Sequence, residues 1–87
     1  MVQIYFHKHF EKMFQKCSPA IQRKFRERIM LFLENPFADE LGNHSLHGKY
    51  DGLRSINVTD DIRAIYDSAD GEHVRFVAIG SHAQLHG

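Results

Sequence analysis

The stretch His44–Tyr66, HSLHGKYDGLRSINVTDDIRAIY, decides how this chain folds. It holds two β-rich runs, Leu53–Val58 and Ile62–Tyr66, punctuated by Gly48, Gly52 and the Asp60-Asp61 pair. In the second run Ile62, Ala64 and Tyr66 alternate with Asp61, Arg63 and Ile65, an alternation that sends the sets to opposite faces of a sheet. The Thr59-Asp60 connection is short and turn-prone, so the two runs read as an antiparallel hairpin. A strand whose second face carries Asp61 and Arg63 does not hide both faces in a core. That face is available for chemistry.

Upstream of the hairpin, Val2, Ile4 and Phe6 alternate with Gln3 and Tyr5, which predicts an opening strand over Val2–Phe6. The period then changes. Phe6, Phe10, Met13, Phe14 and Cys17 recur at helical spacing, predicting a short amphipathic helix from His7 to Cys17 with Lys8, Glu11, Lys12 and Lys16 in water. That stripe reads as core, and Cys17 on it as a buried small hydrophobe rather than a nucleophile. Ser18-Pro19 starts a second helix, because a Ser hydroxyl caps free N–H groups and Pro at the first helical position loses none. Its buried stripe is Ile21, Phe25, Ile29, Phe32 and Leu33, and Pro36 stops it by Glu34 or Asn35. The pair forms an αα-hairpin. Arg23, Lys24, Arg26 and Arg28 read as a solvated helix surface, with a phosphate contact as the alternative.

Between that helix and the central stretch, Phe37–Asn43 reads as a loop carrying Asp39 and Glu40. After Tyr66 the run Asp67-Ser68-Ala69-Asp70-Gly71 is a turn signal, and His73–Ile79 is a strand that ends at Gly80. The tail Ser81–His86 is too short for a helix of its own and is expected to pack across the sheet edge. The order β, α, α, then three or more closely connected strands, implies an α+β fold. An N-terminal strand and an αα-hairpin cover one face of a small, mainly antiparallel sheet.

The 87 residues make one small domain, 1–87, with seven Phe for its core. Eleven Lys and Arg balance eleven Asp and Glu, so no strong nonspecific pull toward nucleic acid or an anionic membrane is expected. A single cysteine, Cys17, forms no intrachain disulfide, and with no signal peptide or long apolar run the default compartment is the cytoplasm. Seven histidines are the unusual feature. Imidazole titrates near neutrality, which invites acid–base or metal chemistry.

In order and spacing, His44–Gly48 (HSLHG), Gly52–Arg54 (GLR), Asp61–Tyr66 (DIRAIY), Val74–Phe76 (VRF) and Gly80–Leu85 (GSHAQL) resemble the RelE/ParE superfamily of bacterial toxins, and within it the YafQ branch. The resemblance covers nearly the whole chain. It implies a compact toxin fold and a metal-independent endoribonuclease without cofactor, cutting messenger RNA in the ribosomal A site. It also implies a cognate antitoxin protein that holds the enzyme inactive. His44 matches the histidine of the family's His-x-Leu-x-Gly motif, Asp61 its aspartate at the start of the next strand and His82 its histidine near the C-terminus. Arg63 matches an arginine of the RelE branch that assists at the scissile phosphate. Three positions depart from the YafQ pattern. Asn57 stands for a second sheet histidine, Ala78 for an arginine and His86 for a terminal phenylalanine. The departures at Asn57 and Ala78 keep an alternative function, a noncatalytic binder of the same fold that is either a gyrase poison, as some superfamily members are, or a decayed toxin acting through its antitoxin contacts.

Cleaving RNA without metal requires a base for the 2′-hydroxyl proton, an acid for the leaving 5′-oxygen and positive charge at the phosphate. His44, His82, Asp61 and Arg63 supply that complement, with Arg54, Lys49 and His86 as candidate RNA or phosphate contacts. Asp61 could act as base or orient a histidine, and its structural alternative is a turn residue or a partner of Arg63. Arg54 has the alternative of a structural hydrogen bond beneath the site, and His7, His9 and His73 read as surface. Zinc held by His44, His47, His82 and His86 is the competing use of the imidazoles, although neither pair sits in a familiar zinc motif.

Overall fold

The first strand finds its partner near the other end of the chain. In the computed structural model, which describes residues 2–68 and 70–86, β1 (Gln3–Phe6) runs parallel to β5 (His73–Ser81), with Ile4 beside Val74 and Phe6 beside Phe76. The sheet has five strands in the order β1-β5-β4-β3-β2, the other neighbours being antiparallel. The expected hairpin is β3 (Arg54–Asn57) and β4 (Ile62–Asp67), joined through Thr59, whose Oγ1 accepts from the amides of Asp61 and Ile62. Just after the loop read over Phe37–Asn43, His44 and Ser45 form the short edge strand β2, paired to Ser55 and Arg54. Ala69, in the turn read after Tyr66, lies outside the described residues.

Local chemistry sets the helices. At α1 (Lys8–Gln15) the His7 side chain is the cap, its Nδ1 accepting from the His9 amide at 3.0 Å. At α2 (Pro19–Glu34) the Ser18 hydroxyl accepts from Ile21, and extended Asn35 ends the helix before Pro36. Gln22 Nε2 donates to the carbonyls of Phe14 and Cys17, which fixes the elbow between the helices. Both helices pack on the face carrying Ile56, Ala64, Tyr66, Phe76 and Ile79. Phe10, Phe25 and Phe32 are buried there among Phe6, Phe14 and Tyr66 in edge-on and tilted ring pairs. Such pairs add about 0.5–1.5 kcal/mol each beyond the area they bury. Leu33, assigned to the buried stripe, is instead exposed, because one residue past Phe32 turns it some 100° away from the core.

The tail is the largest departure from the expected fold. Instead of crossing the sheet edge it forms α3 (His82–His86), which packs on β5 and seats buried Leu85 against Ile65 and Ala78 on the face opposite α1 and α2. A reciprocal cap makes so short a helix possible. The Ser81 amide donates to Gln84 Oε1 and the Gln84 amide donates to Ser81 Oγ. Tyr50, Leu46, Leu53 and Val77 complete this second, smaller core. A bulge in β5 makes it fit. Ile65 pairs with Ala78 while Tyr66 pairs with Phe76, which leaves Val77 as the extra residue. Phe76 therefore faces α1 and α2, and Ala78, which strict alternation would place beside it, turns to the other side. Among the described residues no helix is long and apolar enough to cross a membrane.

Candidate active site

Strand register places the candidate residues. Ile62 pairs with Ser81 as the last pair between β4 and β5, so Asp61 precedes that pair on one strand and His82 follows it on the other. Both side chains are exposed, and Asp61 lines a hollow with Ser81 and Gln84 at the α1–α2 elbow. The ring of His82 lies 4.6 Å from that of His86, His86 meets Tyr50 edge-on at 5.4 Å, and Lys49 Nζ stands 5.4 Å from the Tyr50 centroid. Tyr50 was not among the candidates, and it links His86 to Lys49.

Arg63 sits one row further along the sheet, between Asn57 and Gly80. Its Nη1 donates to the carbonyls of Thr59, Asp60 and Ile62, wrapping the side chain around the hairpin turn. Nε and Nη2 make no hydrogen bond among the described residues. The structure therefore replaces the alternative of an Asp61–Arg63 pair, since the one ion pair among the described residues joins Asp70 and His73. Asn57, Lys24, Arg28 and Glu40 share the hollow beside Arg63, although Arg28 Nε is turned to the Val58 carbonyl.

His44 pairs with Ser55, which pairs with Ile65, which pairs with Ala78. This row shares the face covered by α3. Nδ1 of His44 lies 2.9 Å from the Gly42 carbonyl. A carbonyl only accepts, so Nδ1 carries the proton and the Nε2 lone pair of the neutral ring is directed outward.

Arg54 lies apart from the other candidates. Paired with Tyr66, it belongs to the face of α1 and α2, where its Nε donates to Asn43 Oδ1 at 2.8 Å and its guanidinium lies over Phe37. Asn43 Nδ2 in turn donates to the Tyr66 hydroxyl and the Pro36 carbonyl. Through this chain of bonds Arg54 braces the loop before β2. The imidazoles are not gathered as a metal site, since no cluster of three or more His, Cys, Asp or Glu positioned for an ion occurs among the described residues. A hollow of about 740 Å³ lies elsewhere. It is an apolar groove walled by β1, α1 and α2, including Tyr5, Phe6, Phe10, Phe14 and Met30.

The fold is shared with solved toxins. YafQ from E. coli strain BL21(DE3) superposes with a TM-score of 0.83 at 24% identity, covering 100% of both chains. In the E. coli DinJ–YafQ complex the match has a TM-score of 0.78, again at 24% identity and 100% coverage of both chains. A YoeB/ParE toxin from Agrobacterium tumefaciens matches with a TM-score of 0.75 at 19% identity, covering 93% of this chain and 99% of that one. No curated protein matches at a comparable level. The family profile described as "Bacterial toxin of type II toxin-antitoxin system, YafQ" matches residues 2–87. The chain belongs to the YafQ family of type II toxin–antitoxin toxins.

Proposed function

We propose that this toxin is a metal-independent endoribonuclease that cuts messenger RNA on the ribosome and so arrests translation in the cytoplasm. The observation that carries the reading is the placement of Asp61 and His82 together just beyond the same end of the Ile62–Ser81 pair, one on each strand and both open to solvent. In this reading the Asp61 carboxylate takes the proton of the RNA 2′-hydroxyl, and that oxygen bonds to the phosphorus. The bond to the 5′-oxygen breaks as His82 gives it a proton, leaving a 2′,3′-cyclic phosphate and a 5′-hydroxyl end. Arg63 holds the crowded phosphate through Nε and Nη2, and the outward Nε2 of His44 accepts a hydrogen bond from the nucleotide.

The antitoxin is the expected partner. We assign it to the apolar groove beside β1, where Tyr5, Phe6 and Met30 are 48%, 43% and 66% exposed and the outer edge of β1 has no partner strand among the described residues. An added strand carrying apolar side chains satisfies that edge and fills the groove together.

Primer extension on transcripts after brief induction tests the nuclease reading. Discrete new 5′ ends within coding regions, absent with His82→Ala and Asp61→Asn, are expected. Arrested growth with unchanged transcripts would instead establish the noncatalytic alternative, which a gyrase supercoiling assay then examines.

A further inference from the structure

An open hollow of about 310 Å³ lies on the face covered by α3, lined by His7, His9, Lys49, Tyr50, Val77 and Ala78. The sequence assigned His7 and His9 to plain surface, and the nuclease reading uses neither. Three of the lining groups can donate to an anion, and no carboxylate lines the hollow. The bulge makes the space, because Ala78, turned to this face and only 3% exposed, gives the hollow a small floor where a longer side chain would fill it. His7 is oriented for donation. Its Nδ1 accepts from the His9 amide, so the proton of the neutral ring sits on Nε2. Lys49 Nζ stands at the Tyr50 ring on the rim, and Tyr50 leads through His86 to His82.

We propose that this hollow is a phosphate subsite in which His7, His9 and Lys49 hold a backbone phosphodiester of the RNA, next along the strand from the linkage at His82. RNA is favoured over other polyanions because the donors share the hollow with Tyr50, whose ring meets Lys49 on one side and leads through His86 to the imidazole that the nuclease reading uses as acid. This rests on the nuclease reading, and it adds a site whose work is binding rather than chemistry.

The test uses the full chain, labelled for detection of imidazole nitrogens, titrated with a 2′-O-methyl RNA tetranucleotide that cannot be cleaved. The ring signals of His7 and His9 are expected to shift. Lys49→Ala is expected to weaken binding at least about threefold and to lower the slope of log affinity against log salt by about 0.7, the value for one phosphate contact on a single strand. Lys49→Arg restores both. A purely structural lysine would leave the salt slope unchanged. Silent His7 and His9 signals, or an unchanged slope in Lys49→Ala, overturns the subsite. In cells the double variant His9→Gln/Lys49→Ala is expected to cut the same positions at least about threefold less. Cutting at the wild-type level by that variant removes the subsite and leaves the nuclease reading standing. Binding at His7 and His9 with transcripts left intact by the wild type supports the subsite and removes the nuclease reading.

Discussion

The Tyr50 hydroxyl donates a 3.0 Å hydrogen bond to the carbonyl of Leu85. Through it the turn after β2 holds α3, and with it His82 and His86, against the sheet. Tyr50→Phe keeps the ring in the second core but leaves that carbonyl without its donor. A loss of about 0.5–1.5 kcal/mol in urea denaturation is expected. Amide exchange in α3 should quicken more than in β4, and equal protection in both would show that the bond does not hold the helix.

Removing the proposed acid or base should lower transcript cutting by about 10²- to 10⁴-fold. Because Asp61 and His82 are exposed, Asp61→Asn and His82→Ala should each stay within about 0.5 kcal/mol of wild-type stability. Cut ends should accept a kinase label without prior phosphatase treatment, as a 5′-hydroxyl requires. Ends that need the phosphatase would rule out the 2′-hydroxyl route.

Gly42 positions His44. It ends the 3₁₀ turn Asp39–Leu41 in the left-handed region at φ 52°, and a Cβ there would run into the Asn57 amide. Gly42→Ala therefore meets both an unfavourable backbone, worth about 1–2 kcal/mol, and a clash. Lower thermal stability is expected, together with a shifted His44 ring resonance, since Gly42 carries the carbonyl that accepts from Nδ1.

Arg54→Lys should destabilise by about 1 kcal/mol through loss of the bond to Asn43, without altering the positions of RNA cuts. Altered cut positions in a protein of wild-type stability would return Arg54 to the RNA contacts.

Asp70 gives a stability dependence confined to acid. The His73 amide, then the His73 ring, then the Glu72 amide hold its carboxyl at about 2, below its ordinary 3.8. A lowered folded value means that the unfolded chain binds the proton more readily as pH falls. The stabilisation is therefore complete above the ordinary value and disappears as pH drops toward about 2. Asp70→Asn should melt below wild type near neutral pH, with the gap closing in that interval. A gap that stays constant would place the effect of Asp70 in hydrogen bonding alone.

The helices and the hairpin were legible because their signals are local. The Ser18-Pro19 cap, the Phe10 and Phe25 stripes and the alternation of Ile62, Ala64 and Tyr66 each act within a few residues. The Ser81-His82-Ala83-Gln84 cap was equally local and could have announced α3, but the tail's length masked it. The parallel pairing of β1 with β5 and the bulge at Val77 carry no comparable signal, because each depends on which distant strand lies alongside.

For the site, the sequence by itself determined the inventory of imidazoles, carboxylates and guanidinium groups and placed Asp61 and His82 near strand ends. Only the tertiary structure decided that Arg54 turns to the opposite face, that Arg63 folds over its own hairpin, and that His7 and His9 come to share a hollow with Lys49. The physical reason is that side-chain identity is written locally, whereas the face a side chain occupies follows from strand register. A single bulge reverses that face for every residue beyond it.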